Sequence, residues 1–150
     1  MRGEWDTRSI QSLSSGLSDT ISLKVLKVTK CVLGCDDMRT LSLGLCNNSS
    51  ITTLNLRYNE IRDEGIAAFS ENWKDESPIK SLYLGHNPIG PEGAQLLVKA
   101  AANHAAMMRL GLQGRTRLVG CSGLEIFQED PSSFQLSNVK IQVYLQWERC

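Results

Sequence analysis

The residue types that bind zinc occur in this sequence without a spacing that would assemble a site. Cys31 and Cys35 are four residues apart, whereas His86 and His104 fall in different parts of the repeat described below. Structural zinc takes four such ligands in a tetrahedral arrangement, and the five cysteines include no C-x-x-C pair. We therefore expect no metal site and interpret these side chains as buried or solvated.

Carboxylates suited to acid–base chemistry occur in neighbouring pairs, namely Asp36/Asp37, Asp63/Glu64 and Glu129/Asp130. Each pair falls at or near a predicted helix start or in a loop, where the helix dipole stabilises a negative charge. Serines and cysteines are numerous, but no His/Asp arrangement is placed to activate one as a nucleophile. Neither a GxxxxGK[ST] loop nor a GxGxxG motif after a strand is present. The sequence predicts no enzymatic activity, no cofactor and no small-molecule substrate.

The charge balance gives no reason to expect nucleic acid or a membrane as a partner. The chain has 16 Lys and Arg residues and 16 Asp and Glu residues, so its formal net charge is zero. The opening MRGEWDTRS lacks an apolar signal segment, and the most apolar stretch, residues 23–34, is short and interrupted by lysines. With an odd number of cysteines, these features predict an intracellular protein, cytoplasmic or nuclear.

An internal repeat of 28 residues organises the chain. Four apolar columns recur in one register: Leu23, Ile51, Ile79 and Met107; Leu26, Leu54, Leu82 and Leu110; Val28, Leu56, Leu84 and Leu112; and Leu33, Ile61 and Ile89. The first half of each unit alternates with period two, as a strand does, and the second half has a helical period. A single strand–helix unit cannot bury its apolar face alone, so the units are expected to stack, with parallel strands side by side.

The helical halves carry a second set of apolar columns: Met38, Leu41 and Leu45; Ile66, Phe69 and Trp73; and Ala94, Leu97 and Ala101. Gly65 and Gly93 begin two of these helices, where we expect a tight turn or a close approach to a neighbour. Asp37 replaces glycine at the equivalent position, which suggests a different start for that helix.

A structural column follows each strand and contains Cys31, Asn59 and Asn87. A buried asparagine amide can bridge backbone groups of successive repeats where no strand ladder exists. The thiol of Cys31, which we expect to be buried, would do so only weakly.

The segments ITTLNLRYNEIRDEG (51–65) and IKSLYLGHNPIGPEG (79–93) resemble ribonuclease-inhibitor-like leucine-rich repeats. The resemblance covers residues 10 to about 114 and implies an α/β leucine-rich repeat solenoid, with a parallel sheet on the concave face and helices on the convex face. Its relatives include cytosolic innate-immune receptors, the Ran GTPase-activating protein and leucine-rich-repeat-only proteins. The resemblance implies a protein-interaction module or scaffold; the alternative is a regulator or activator of a small GTPase.

Three parts are expected: residues 1–22 as the helix half of an incomplete repeat, repeats over 23–114 starting at 23, 51, 79 and 107, and a divergent tail or cap over 115–150. Arg115 and Arg117 break the register, whereas GLEIF (123–127) could begin a helix. VKIQVYLQW (139–147) alternates like a strand but could be either a capping strand or an unrelated tail. Both ends depart from the repeat, which suggests a fragment or short isoform of a longer repeat protein.

Residues that alternate with the inward leucines should line the concave face and vary in type. They form four columns: Val25, Thr53, Ser81 and Arg109; Lys27, Asn55, Tyr83 and Gly111; Thr29, Arg57, Gly85 and Gln113; and Lys30, Tyr58, His86 and Gly114. We predict a partner-binding surface of Lys27, Asn55, Arg57, Tyr58, Tyr83 and His86. Tyr and Arg are enriched among energetic anchors of interfaces, so Arg57, Tyr58 and Tyr83 are the expected hot spots. The alternative is that these are ordinary solvated strand residues.

Overall fold

Each 28-residue unit folds as one short strand followed by one helix in a computed structural model, which describes residues 6–104, 106–112 and 142–144. The elements are α1 (Thr7–Asp19), β1 (Val25–Lys27), α2 (Cys35–Cys46), β2 (Thr53–Asn55), α3 (Asp63–Asn72), β3 (Ser81–Tyr83), α4 (Pro91–Asn103), β4 (Arg109–Gly111) and β5 (Gln142–Tyr144). None of the helices in this part of the chain is long and apolar enough to cross a membrane.

The strands form one parallel sheet in the order β1-β2-β3-β4-β5. The predicted register is confirmed, because Leu26, Leu54, Leu82 and Leu110 are aligned partners across the first four strands. The strand pattern of the tail is confirmed at Gln142–Tyr144, where Val143 aligns with Leu110. This last step spans 33 residues along the chain instead of 28, so β5 joins the sheet outside the repeat period. The helix suggested for residues 123–127 and the register break at Arg115 and Arg117 lie outside the described residues.

The core lies between the sheet and the helices. Leu54, Leu82 and Leu110 are fully buried from the strand side, and Met38 and Ile66 are fully buried from the helix side. Removing one such side chain from water contributes about 1.5–3 kcal/mol. No strand–helix unit could gain this alone, because each buries its leucines against the next unit.

The first strand departs from the predicted core. Leu23 is 37% exposed and Leu26 is only partly buried, although both belong to columns predicted to face inward. Helix α1 packs against α2 and covers the helix side of the first unit, but among the described residues no strand lies on the outer side of β1. The strand side of the first unit is therefore left open to solvent.

The helix starts follow the repeat more closely than the sequence suggested. Helix α2 begins at Cys35, in register with α3 and α4, so the expectation of a different start was wrong. Asp37 accepts a hydrogen bond from the Gly34 backbone N–H at 2.9 Å and caps this helix. Gly93 fits the expected close approach, because a Cβ there would lie 2.5 Å from Asp63 Oδ1.

The buried asparagines bridge neighbouring units as predicted. Asn59 Nδ2 donates to the carbonyl of Val28 in the preceding unit (2.7 Å), and its Oδ1 accepts from the N–H of Cys31 (3.0 Å). Asn87 repeats this arrangement one unit later, donating to the carbonyls of Leu56 and Leu84. Cys31 differs from our expectation, since it is only partly buried and its Sγ contacts the Thr29 carbonyl of its own unit.

His104 is a core residue. It is 2% exposed, its ring stacks on Trp73 at 4.7 Å, and its Nε2 lies 2.8 Å from the Lys74 carbonyl. Because a carbonyl only accepts hydrogen bonds, this contact places a proton on Nε2. A histidine held in this way ties the end of α4 to the segment after α3.

Candidate functional site

The candidate site is the strand face, which we define as the solvent-facing residues of segments 24–30, 52–58, 80–86 and 108–112. Lys27 and Tyr58 are exposed here, and Asn55, Arg57 and Tyr83 are partly buried. His86 is also partly buried. All six side chains predicted to bind a partner are therefore accessible.

Three positions in the predicted exposed columns, Ser81, Gly85 and Gly111, are buried instead. They are small residues beside larger ones: Ser81 aligns between Thr53 and Arg109, and Gly111 lies under the ring of Tyr83. The strand face therefore presents large side chains resting on small ones, and not the uniformly exposed columns that alternation predicted.

Lys30, Tyr58 and His86 form one row across three units, called here the stacked row. The Tyr58 and His86 rings are nearly parallel (6°), with centroids 4.3 Å apart, and Lys30 Nζ lies 5.3 Å from the Tyr58 centroid. An aromatic pair of this kind contributes about 0.5–1.5 kcal/mol beyond its buried area, and an exposed cation–π contact about 0.5–1 kcal/mol. The three side chains thus hold one another in place without a partner.

The backbone explains why the stacked row forms. Lys30, Tyr58 and His86 each follow the strand of their unit and have left-handed φ values of 60°, 59° and 59°. Since the same bend recurs in every unit, the three side chains leave the chain in the same direction. Neighbouring strands are about 4.8 Å apart, which matches the spacing that stacked rings need.

Arg57 and Tyr83 form a second contact on the strand face, called here the arginine–tyrosine pair. The Arg57 guanidinium carbon lies 4.7 Å from the Tyr83 ring centroid. On its other side the Tyr83 ring approaches Gly111, where a Cβ would come within 2.8 Å of Tyr83 Cδ1. Asn55 Oδ1 accepts a hydrogen bond from the Arg57 backbone N–H at 3.2 Å. Glycine at 111 therefore makes room for the tyrosine ring that carries the arginine.

The charge of the strand face is not that of the whole chain. Its four segments contain six basic residues and no Asp or Glu; the basic residues are Lys24, Lys27, Lys30, Arg57, Lys80 and Arg109. Zero net charge over 150 residues therefore conceals a basic surface. Sorting charges by position within the repeat would have revealed it, whereas counting them over the chain did not.

Metal or cofactor binding gains no support from the part of the chain that the structure describes. No group of three or more His, Cys, Asp or Glu side chains comes together there. Cys35 Sγ is 3.8 Å from Glu64 Oε2, and Cys31 contacts its own backbone. A cavity between α2 and α3, beside Phe69 and Trp73, has a volume of about 10 Å³, which is room for a single water.

Comparison with known proteins supports this architecture. Residues 47–70 and 77–98 match the family described as Leucine Rich repeat. The chain is similar to Leucine-rich repeat-containing protein 45 of Gallus gallus, with 31% identity over 85 residues, covering 55% of this chain and 13% of that protein. Among solved structures it is similar to Leiomodin-1 Actin-Binding Site 2, with a TM-score of 0.62 and 15% identity, covering 72% of this chain and 62% of that one. At 15% identity the structural match concerns the fold alone.

Proposed function

We infer that this chain, a leucine-rich-repeat protein, is a protein-interaction module that binds its partner on the strand face. The observation that carries the proposal is the ordering of large side chains at the surface by neighbours within the chain. Tyr58 is held between Lys30 and His86, and Tyr83 is held between Arg57 and Gly111.

Preordered side chains favour binding because association then costs less rotamer entropy. Immobilising a flexible side chain at an interface costs about 0.5–1.5 kcal/mol. Tyr58 and Tyr83 present large rings that are already fixed, and Arg57 is already stacked. These residue types are also enriched at hot spots, which supports the three anchors expected from the sequence.

The size of the strand face limits the affinity of the module acting alone. Five strands about 4.8 Å apart, each presenting a few residues at about 3.3 Å, give a surface on the order of 300–400 Å². A standard interface uses about 800 Å² on each partner. We therefore expect weak binding, or a partner that also contacts loops next to the strand face.

The comparisons are consistent with a binding role and leave the partner open. The similar solved domain is named an actin-binding site, so a repeat stack of this kind serves protein binding there. Fold similarity does not transfer a partner, and the chain spans 13% of the length of its chicken relative. A scaffold role in the cytoplasm or nucleus belongs to the proposal.

Site-specific photo-crosslinking in cell lysate tests the proposal. The full chain would carry a benzoyl-phenylalanine either at Tyr58 on the strand face or at Gln95, an exposed residue of α4. We expect a protein captured from position 58 and not from position 95. Capture from position 95 alone would place the interface on the helices and contradict the proposal.

The alternative, a regulator of a small GTPase, stays a prediction from the sequence resemblance. Purified small GTPases incubated with the full chain would show faster nucleotide hydrolysis or exchange if it is correct.

A further inference from the structure

We propose that the strand face recognises an extended acidic polypeptide segment of a partner protein. This inference rests on the proposed function and specifies the chemistry of the partner.

The first argument is the separation of charge within the chain. All charged residues of the strand face are basic, while the acidic residues near them lie at the helix starts, including Asp36, Asp37, Asp63, Glu64 and Glu92. Placing like charges on one face raises the free energy of the folded chain through mutual repulsion. An acidic partner removes this repulsion and is steered towards the face from a distance.

The second argument is that several acids have partners inside the chain, whereas the strand-face lysines do not. Asp37 and Asp63 accept hydrogen bonds from the N–H groups of Gly34 and Gly90, and Asp36 pairs with Arg39 at 3.7 Å. Within the described residues, no carboxylate lies within 4 Å of Lys27 or of the other strand-face lysines. Their ammonium groups are therefore available to carboxylates of another molecule.

The third argument separates an acidic peptide from a nucleic acid. Single-stranded nucleic acids bind basic surfaces largely by stacking their bases on open aromatic faces. Tyr58 lies in its row between Lys30 and His86, and Tyr83 between Arg57 and Gly111. The rings thus present edges and hydroxyl groups, which can donate hydrogen bonds to carboxylates but offer no free face to a base.

The test is a fluorescence-anisotropy titration of the full chain with three labelled probes. These are a peptide of about ten glutamates, which spans about 33 Å when extended, a glutamine peptide of the same length, and an oligouridylate of similar charge. The parent is compared with Lys27→Gln/Lys80→Gln on the strand face and with Lys74→Gln/Lys99→Gln. The second pair lies outside the strand face, is also exposed, and lowers the net charge by the same amount.

We expect binding of the glutamate peptide, weakening with added salt, and little binding of the glutamine peptide. The strand-face variant should bind the glutamate peptide roughly tenfold more weakly, since each exposed charge pair contributes up to about 1 kcal/mol. The control variant should stay within about twofold of the parent. Equal weakening in both variants would mean attraction by net charge and would overturn the proposal.

Two other results would also overturn the acidic-peptide proposal. Tighter binding of the oligouridylate, lost in the strand-face variant, would assign the face to nucleic acid. No binding of the glutamate peptide, together with a protein crosslinked from position 58, would leave the proposed function standing and show that the partner is not recognised by acidity. Failure of both experiments would reject the binding face itself.

Discussion

Single residues at the strand ends set the geometry of the candidate site, and the sequence showed only part of this. Alternation predicted that Lys30, Tyr58 and His86 face solvent, and their shared spacing of 28 predicted one column. Their left-handed φ values and ring stacking were not predictable, because Lys, Tyr and His carry no signal for that conformation as glycine does. Their neighbour Val32 has the same conformation at φ 58° and is β-branched, which makes it the most strained of the four.

Val32 gives a test of this backbone. A left-handed conformation costs a non-glycine residue about 1–2 kcal/mol, while glycine loses somewhat more entropy on folding. We expect Val32→Gly to be more stable than Val32→Ala by about 1 kcal/mol, measured by chemical unfolding. At Lys99, inside α4, the order should reverse, with glycine about 1 kcal/mol worse than alanine. The same order at both positions would contradict the assigned backbone.

The structural asparagines provide a second test at this scale. Asn87 is fully buried and makes three hydrogen bonds, to the carbonyls of Leu56 and Leu84 and from the N–H of Ile61. Asn87→Ala strands these backbone groups, so we expect a loss of about 3 kcal/mol in unfolding free energy. The control Asn55→Ala removes one hydrogen bond at a partly buried site and should cost less than about 1 kcal/mol. Equal losses would refute the bridging role.

Asp6 adds a pH dependence. Its Oδ1 accepts hydrogen bonds from the Ser9 hydroxyl (2.6 Å) and the Ser9 backbone N–H (2.7 Å), and in that order they hold the pKa of Asp6 below its ordinary 3.8. A lowered pKa in the folded state means that Asp6 stabilises the fold above its unfolded pKa and loses this effect as the pH falls through the folded pKa. Asp6→Asn should therefore melt below the parent at neutral pH, with the gap closing under acid. A gap independent of pH would contradict this assignment.

At the scale of elements, the sequence predicted which segments form strands and helices but not how closely the helices approach. Helices α1 and α2 contact each other through Gly44, where a Cβ would lie 2.7 Å from Ser14 Oγ and 2.8 Å from the Ser14 carbonyl carbon. Ser14 also donates a hydrogen bond to the Thr40 carbonyl at 2.6 Å. The repeat pattern contains no counterpart of this contact, since the equivalent positions in the other helices are Asn72 and Ala100.

Two glycine substitutions in these helices should therefore have opposite effects. Gly44→Ala forces α1 away from α2, and we expect a loss of about 1–3 kcal/mol. Gly16→Ala places a methyl group where nothing lies within 4 Å, so it should raise helix stability by up to about 1 kcal/mol. Thermal unfolding of both variants measures the difference. A stabilising Gly44→Ala would show that the two helices do not pack as described.

At the scale of the whole molecule, the register was predictable because one column alignment satisfies every unit. Leu54, Leu82 and Leu110 fall in line as the 28-residue spacing requires. The place of β5 was not predictable, since its alternating pattern carries no repeat spacing and its step from β4 is 33 residues. The basic strand face was also missed, because a net charge of zero says nothing about where the charges lie.

The most direct test of the account compares two truncations in the full chain. Tyr58 on the strand face is 47% exposed and Leu43 on α2 is 56% exposed, so each removes a large accessible side chain from one side of the molecule. The partner identified by crosslinking would be titrated against the parent, Tyr58→Ala and Leu43→Ala, after equal melting temperatures are verified. The account predicts that Tyr58→Ala weakens binding by on the order of 2 kcal/mol, roughly thirtyfold, and that Leu43→Ala binds like the parent. Weakening by Leu43→Ala with no effect of Tyr58→Ala would contradict it and place the binding surface on the helices.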